Sequence, residues 1–135
     1  PRAKASAEGG VSGLTFDAGG LIALDRNDRR VIALLARAWE TGARITIPTT
    51  ALAQAIRNPA TQARLSRLSR QPTTKLAPLD GVDATQVGVL LGSSKTSDLV
   101  DAHVVICALR NNDAIVTSDP RDLAHLDPTA PLIVV

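Results

Sequence analysis

The sequence predicts an α/β fold in which helices cover a parallel sheet. Short apolar and β-branched runs alternate along the chain with longer segments of helical pattern, an order of elements that is typical of parallel sheets. The length of 135 residues suits one domain, and an apolar content of 44% suffices for one core. Because Phe16 and Trp39 are the only aromatic residues, we expect a core of Ala, Leu, Val and Ile.

The first half of the chain predicts two strands and four helical segments. The short runs at 14–17 and 44–47 are apolar or β-branched, as in strands. Asp28 is a suitable N-cap and Gly42 a suitable C-terminal residue for a long helix between them. The pair Asn58-Pro59 interrupts the next helical pattern. The predicted helices of this half are 19–24, 28–40, 48–57 and 61–70.

The second half continues the alternation. We expect strands at 75–79, 114–118 and 132–135. A helix begins at Asp80 or Asp83 and ends near Leu91, a loop covers 92–96, and further helices cover 97–111 and 119–125. Residues 1–12 are expected to form a flexible tail, and 13–135 a single domain without a repeat or linker.

Carboxylates stand at the ends of three of these elements. Asp17 closes the first strand, Asp98 and Asp101 open a helix, and Asp119 closes a later strand with Asp122 three residues on. The carboxyl ends of parallel strands face a common crevice, and residues three apart share a helix face. Carboxylates that converge need a cation to remain charged together, and their oxygens suit Mg²⁺ or Mn²⁺.

Helix capping is the alternative explanation for these acids. Asp98 with Asp101, and Asp119 with Asp122 around Pro120, both fit the pattern of a helix N-terminus. Asp17 has less structural reason to be acidic, because it closes an apolar strand. We therefore favour a metal site over capping alone.

The positive charge is concentrated in residues 41–79, which hold six basic residues and no Asp or Glu, although the net charge is only +2. A basic middle beside acidic strand ends suits a polyanion held across a metal site. A solvated helix face with an acidic protein partner explains the same charges, and both interpretations stay open. The RNA-binding candidates are Arg57, Arg64, Arg67 and Arg70.

Other features narrow the function class. Cys107 is the only cysteine, which excludes an intrachain disulfide, and no apolar stretch is long enough for a membrane span or a signal peptide. We expect a cytoplasmic protein. His103 and His125 lack metal-ligand spacing, and there is no dinucleotide-binding glycine pattern or serine nucleophile elbow.

Four motifs together resemble the PIN domain, in particular the toxins of type II toxin–antitoxin systems (VapC-like). They are a strand ending in Asp, Ile-Pro-Thr-Thr before a helix, Asp-x-x-Asp-Ala-His-Val-Val, and Val-Thr-Ser-Asp-x-x-Asp-Leu. The resemblance covers roughly 13–135. It implies a five-stranded parallel sheet, Mg²⁺- or Mn²⁺-dependent endoribonuclease activity, a homodimer and a cognate antitoxin partner.

The resemblance also implies roles for residues. Asp17, Asp101 and Asp119 would be catalytic and metal-binding, with Asp98 and Asp122 as additional acids; Thr117 would support the site. The family usually has Glu where Gln54 stands, and its Asp-Thr-Ser opening is altered to Asp-Ala-Gly at 17–19. A binding module without catalysis is therefore a second hypothesis. A small phosphatase is disfavoured, since the second acid of an Asp-x-Asp pattern is absent at Gly19.

Overall fold

Five parallel strands form one sheet in the computed structural model, which describes residues 11–135. The sheet is flanked by helices, so the predicted α/β fold with a five-stranded parallel sheet is confirmed. The strand order is β3-β2-β1-β4-β5, and each neighbouring pair is parallel. The strands are β1 (Gly13–Phe16), β2 (Arg44–Pro48), β3 (Thr74–Ala77), β4 (Ala114–Thr117) and β5 (Leu132–Val134).

Seven helices connect these strands within residues 11–135, together with a 3₁₀ turn at Pro59–Thr61. The chain starts at the centre of the sheet, adds β2 and β3 on one side, and then crosses back to add β4 and β5 on the other. The topological switch point therefore lies between β1 and β4. The helices are α1 (Ala18–Asp25), α2 (Arg29–Thr41), α3 (Thr49–Ala55), α4 (Ala63–Ser69), α5 (Gly81–Ser94), α6 (Leu99–Asn111) and α7 (Pro120–Leu126).

The core is aliphatic, as the composition predicts, and it lies around the two central strands. Every residue of β1 and β4 is buried, which is typical of strands covered on both faces. Phe16 is the one aromatic side chain of this core, and it packs among aliphatic residues that include Leu21, Ile45, Ile47 and Ile115.

Local sequence signals set most element ends correctly. The Asp28 carboxylate accepts a hydrogen bond from the Arg30 N–H at 2.8 Å, and Gly42 ends α2 in the left-handed conformation, with φ 69°. Asp80, rather than Asp83, caps α5. The predicted loop at 92–96 is wrong in its first half, because α5 continues to Ser94 and ends on left-handed Lys95.

The helix predicted at 48–57 is also too long, since α3 ends at Ala55. The Gln62 side chain explains this end. Its Oε1 accepts hydrogen bonds from the N–H groups of Arg57 and Asn58, at 2.8 and 2.9 Å, which replace helical hydrogen bonds. Its amide also donates to the Ala55 carbonyl at 3.0 Å.

The flexible tail predicted at 1–12 falls largely on residues 1–10, which lie outside the described residues. Val11 packs against the core, and the Ser12 N–H donates to the Asn112 carbonyl at 2.8 Å, so these two residues are held to the domain. None of the helices in residues 11–135 has the length and apolarity of a membrane span.

Candidate metal centre

Asp17 lies at the carboxyl end of β1, beside the switch point of the sheet. It caps α1, and its Oδ1 accepts a hydrogen bond from the Gly20 N–H at 2.7 Å. Only 6% of its surface is exposed. Burial raises the pKa of Asp17, against hydrogen bonds from the Thr117 hydroxyl and from Gly20, which favour the charged form. A buried strand-end carboxylate is thus present, as the sequence predicts.

Helix α1 lies unusually close to β4, and glycine makes this approach possible. The Asp17 N–H donates to the Val116 carbonyl at 3.2 Å, and a Cβ at Gly20 would collide with that same carbonyl. A Cβ at Gly19 would meet the Ser118 hydroxyl. The two glycines after Asp17-Ala18 therefore allow the close packing of α1 on β4.

Three further acids form a tight group at the N-terminal ends of α6 and α7. One carboxylate oxygen each from Asp98, Asp101 and Asp122 lies within 4.8 Å of the others. Asp98 is the N-cap of α6, and its Oδ1 accepts from the Asp101 N–H at 3.0 Å. Asp98 therefore caps a helix, as the alternative explanation requires, and also belongs to an acidic group.

The electrostatics of this group centre on Asp101. Burial, the charge of Asp98 and a hydrogen bond with Asp98 raise the pKa of Asp101 to about 7. The charges of Asp17 and Asp122 contribute in the same direction. Asp101 is thus the residue that connects the tight group to Asp17. Near neutral pH, a proton and a cation therefore compete for the Asp101 carboxylate.

Asp119 is exposed and is the N-cap residue of α7. Its N–H donates to the Thr117 Oγ1 at 3.0 Å, and its charge raises the pKa of Asp17. Thr117 is fully buried at the end of β4 and contacts both acids. Among residues 11–135, the tight group comprises Asp98, Asp101 and Asp122, and it does not include Asp17 or Asp119.

A cavity of about 290 Å³ opens over the tight group. Its walls include His125, to which the sequence assigned no role and whose Nε2 lies 3.1 Å from the Ser94 carbonyl. Helical spacing could have identified His125 from the sequence, because it follows Asp122 by three residues on α7 and so lies on the same face of that helix. The lining residues are Thr96, Ser97, Asp98, Asp101, Asp122, His125 and Leu126.

Gln54 is exposed on α3. Within residues 11–135 its side chain has no hydrogen bond to the acids. The four arginine candidates, Arg57, Arg64, Arg67 and Arg70, are also exposed.

Two of these arginines have contacts that fix their place. The Arg57 guanidinium donates to the Ile56 carbonyl at 2.7 Å, just beyond the C-terminal end of α3. Arg64 lies 3.5 Å from the Asp25 carbonyl at the far end of α1. Since α1 rises 1.5 Å per residue, Arg64 lies about 12 Å from Asp17 along the helix.

The donor atoms of this centre are carboxylate oxygens, which fit a hard divalent cation such as Mg²⁺ or Mn²⁺. The raised pKa of Asp101 agrees with this fit, since burial and the charges of the neighbouring acids both disfavour its carboxylate unless a cation is bound. No protein-family model matches the chain, and no curated protein matches it. The chemistry of the centre must therefore be inferred from its own residues.

Proposed function

We propose that this protein is a metal-dependent endoribonuclease of the PIN-domain type and the toxin of a type II toxin–antitoxin pair. One observation carries the proposal. Acids from three distant segments meet near the switch point of a parallel sheet, where burial, together with the charges of Asp98, Asp17 and Asp122, raises the pKa of Asp101 to about 7.

Asp98, Asp101 and Asp122 would hold Mg²⁺ or Mn²⁺, with Asp17 and Asp119 at the flank. The metal, when bound, supplies an activated water and neutralises charge on the scissile phosphate. Thr117 positions both flanking acids, because its hydroxyl donates to Asp17 and accepts from the Asp119 N–H.

The basic stretch supports an RNA substrate. Arg64 lies at the opposite end of α1 from Asp17, so a strand with its scissile phosphate at the acids would run along this helix toward Arg64. Arginine suits this role since its guanidinium matches phosphate geometry.

A protein partner, a homodimer and a cytoplasmic location belong to the same proposal. An exposed acidic crevice attracts cations, so an antitoxin that lies over it or on the helices beside it would present an Arg to the carboxylates. Its binding would then exclude metal and RNA together.

The test compares aspartates that cap helices inside and outside the centre. Asp98→Asn and Asp101→Asn should weaken Mn²⁺ binding about tenfold or more and reduce RNA cleavage about 100-fold, because each removes a charged ligand. Asp28→Asn is the matched control, since Asp28 caps α2 and Asn caps nearly as well. Calorimetry and a single-turnover cleavage assay measure the two effects. Normal cleavage by both centre variants would refute the proposal.

Gln54 favours a second candidate, a PIN-fold binding module without catalysis. Its amide is a weaker metal ligand than a carboxylate, and we expect Asp98 to supply the missing charge. Gln54→Glu should then leave cleavage intact or raise it, and should partly rescue Asp98→Asn. RNA binding by the wild type with neither cleavage nor Mn²⁺ stabilisation would favour the module instead.

A further inference from the structure

A second group of metal-ligating side chains is buried between α5 and α6, away from the acidic cavity. Asp83, His103 and Cys107 each offer one ligand atom within 4.8 Å of the other two. Their exposed fractions are 3%, 0% and 0%. The proposed ribonuclease reaction uses none of these three side chains.

One ring nitrogen of His103, within this group, lacks a hydrogen bond of normal geometry. The His103 Nδ1 shares a hydrogen bond of 2.6 Å with the Thr50 hydroxyl, which fixes the ring. Its Nε2 is buried and makes no hydrogen bond of normal geometry within the described residues 11–135, although the Asp83 carboxylate and the Pro78 backbone lie near the ring. The Asp83 Oδ2 is 3.6 Å away, beyond hydrogen-bond distance. A buried imidazole nitrogen without a normal hydrogen bond is costly, so a ligand bound to this nitrogen would stabilise it.

The spacing of these atoms fits an ion better than a hydrogen bond. Two ligands on a tetrahedral zinc ion, with bonds of about 2.0–2.1 Å, are separated by about 3.4 Å. The observed 3.6 Å between the His103 Nε2 and the Asp83 Oδ2 is close to that value.

Arg110 supplies the outer support that such a site needs. Its guanidinium pairs with the Asp83 Oδ1, which orients the carboxylate and leaves Oδ2 directed at His103. Thr50 plays the same part for the His103 ring. Partners of this kind orient metal ligands in proteins.

We propose that Asp83, His103 and Cys107 form a three-ligand site for a borderline-soft transition metal of the Zn²⁺ type. Imidazole nitrogen and thiolate sulfur distinguish this site from the all-oxygen acidic centre, which suits harder ions. The Cys107 sulfur bonds the ion as thiolate, and its proton leaves to solvent. The bound ion joins α5 to α6, the helix whose first turn carries Asp101.

Cobalt reports the site directly. We expect chelator-treated protein to bind Co²⁺ with a thiolate-to-cobalt charge-transfer band in the near ultraviolet, which Zn²⁺ then abolishes by displacement. Zn²⁺ should also raise the midpoint of thermal unfolding. Asp101→Asn should keep the charge-transfer band, because it alters only the acidic centre.

Cys107→Ser and Cys107→Ala should both lose the band and most of the Zn²⁺-induced rise in unfolding temperature. The serine variant preserves the shape of the side chain, and the alanine variant adds no polar atom to the core. A wild-type protein without the thiolate band, or with a Zn²⁺ effect equal to that of both variants, would overturn the proposal. Either result leaves the ribonuclease test unaffected, since that test concerns Mn²⁺ at Asp98 and Asp101.

Discussion

At the scale of single residues, Asp101 is where burial and charge act together most strongly. The carboxyl group is partly buried at the start of a helix, and Asp98, Asp17 and Asp122 surround it with negative charge. All of these influences favour the protonated form. In the metal-free protein, the folded state therefore holds a proton that an unfolded Asp101 releases near its ordinary pKa of 3.8.

This difference predicts a pH dependence of stability. The folded state binds more protons than the unfolded state between about pH 4 and 7, so the contribution of Asp101 to stability falls as pH rises through that range. We expect Asp101→Asn to remove this contribution and to gain stability relative to the wild type as pH increases. Urea unfolding in the presence of a chelator, from pH 4 to 8, measures it.

The comparison of wild type with variant isolates Asp101, since the other titrating groups are common to both. Saturating Mn²⁺ should diminish the difference between wild type and Asp101→Asn through its preference for the charged wild-type centre. Parallel curves for the wild type and Asp101→Asn without metal would contradict the prediction.

At the scale of elements, helix ends that are set by contacts between near neighbours in the chain can be predicted from the sequence. Helix ends that depend on a side chain from another element cannot. Asp28 and Gly42 mark α2 through contacts with their own neighbours, which a sequence displays directly. The end of α3 depends on the Gln62 side chain, which reaches back from the start of the next helix. Such a contact leaves no periodic trace in the sequence.

The candidate metal centre shows the same difference between features that the sequence predicts and features that depend on packing. Strand ends and helix starts predict that Asp17, Asp101 and Asp119 lie at one edge of the sheet, because parallel strands share that edge. The tight grouping of Asp98 and Asp122 with Asp101 depends on how α6 meets α7, which spacing alone does not determine. The pairing of Arg110 with Asp83 is likewise set by packing between helices.

The close approach of α1 to β4 yields a stability prediction. Gly20→Ala should destabilise the protein by about 1–3 kcal/mol, because the new methyl group meets the Val116 carbonyl and forces the helix away. Gly88→Ala is the control, since Gly88 lies in exposed helix α5 with open space around it. That change should stabilise the protein by about 0.5–1 kcal/mol. Urea midpoints distinguish the two, and equal stability of Gly20→Ala and wild type would contradict the account.

At the scale of the whole molecule, a second concave surface lies apart from the acids. A groove of about 240 Å³ runs between α2 and α4, with apolar walls and with Arg64 and Arg67 at its side. Trp39, the only tryptophan, is 49% exposed there, and Ile32 is 40% exposed. Apolar area beside paired arginines suits an amphipathic acidic segment of the proposed antitoxin.

The fluorescence of Trp39 would report the binding of a partner at this groove. This fluorescence should shift to shorter wavelength when a co-expressed antitoxin binds, because the indole leaves water. Trp39→Ala should weaken binding by about 30-fold, as expected for a buried aromatic contact worth about 2 kcal/mol. Leu109→Ala, an exposed apolar change on α6, should leave affinity unchanged. Antitoxin binding without any change in Trp39 emission would place the partner over the acidic crevice instead.

Because β1 lies at the centre of the sheet, the sheet can form completely only after the later strands have been synthesised. β1 emerges from the ribosome early, yet its partner β4 follows about 100 residues later, with Leu14 opposite Ala114. Domains fold as units during synthesis, so Asp17 cannot come together with Asp101, Asp119 and Asp122 until those residues have been synthesised. For the proposed ribonuclease, this delay would keep the acidic centre incomplete, and therefore unable to cleave RNA, until α7 has been synthesised.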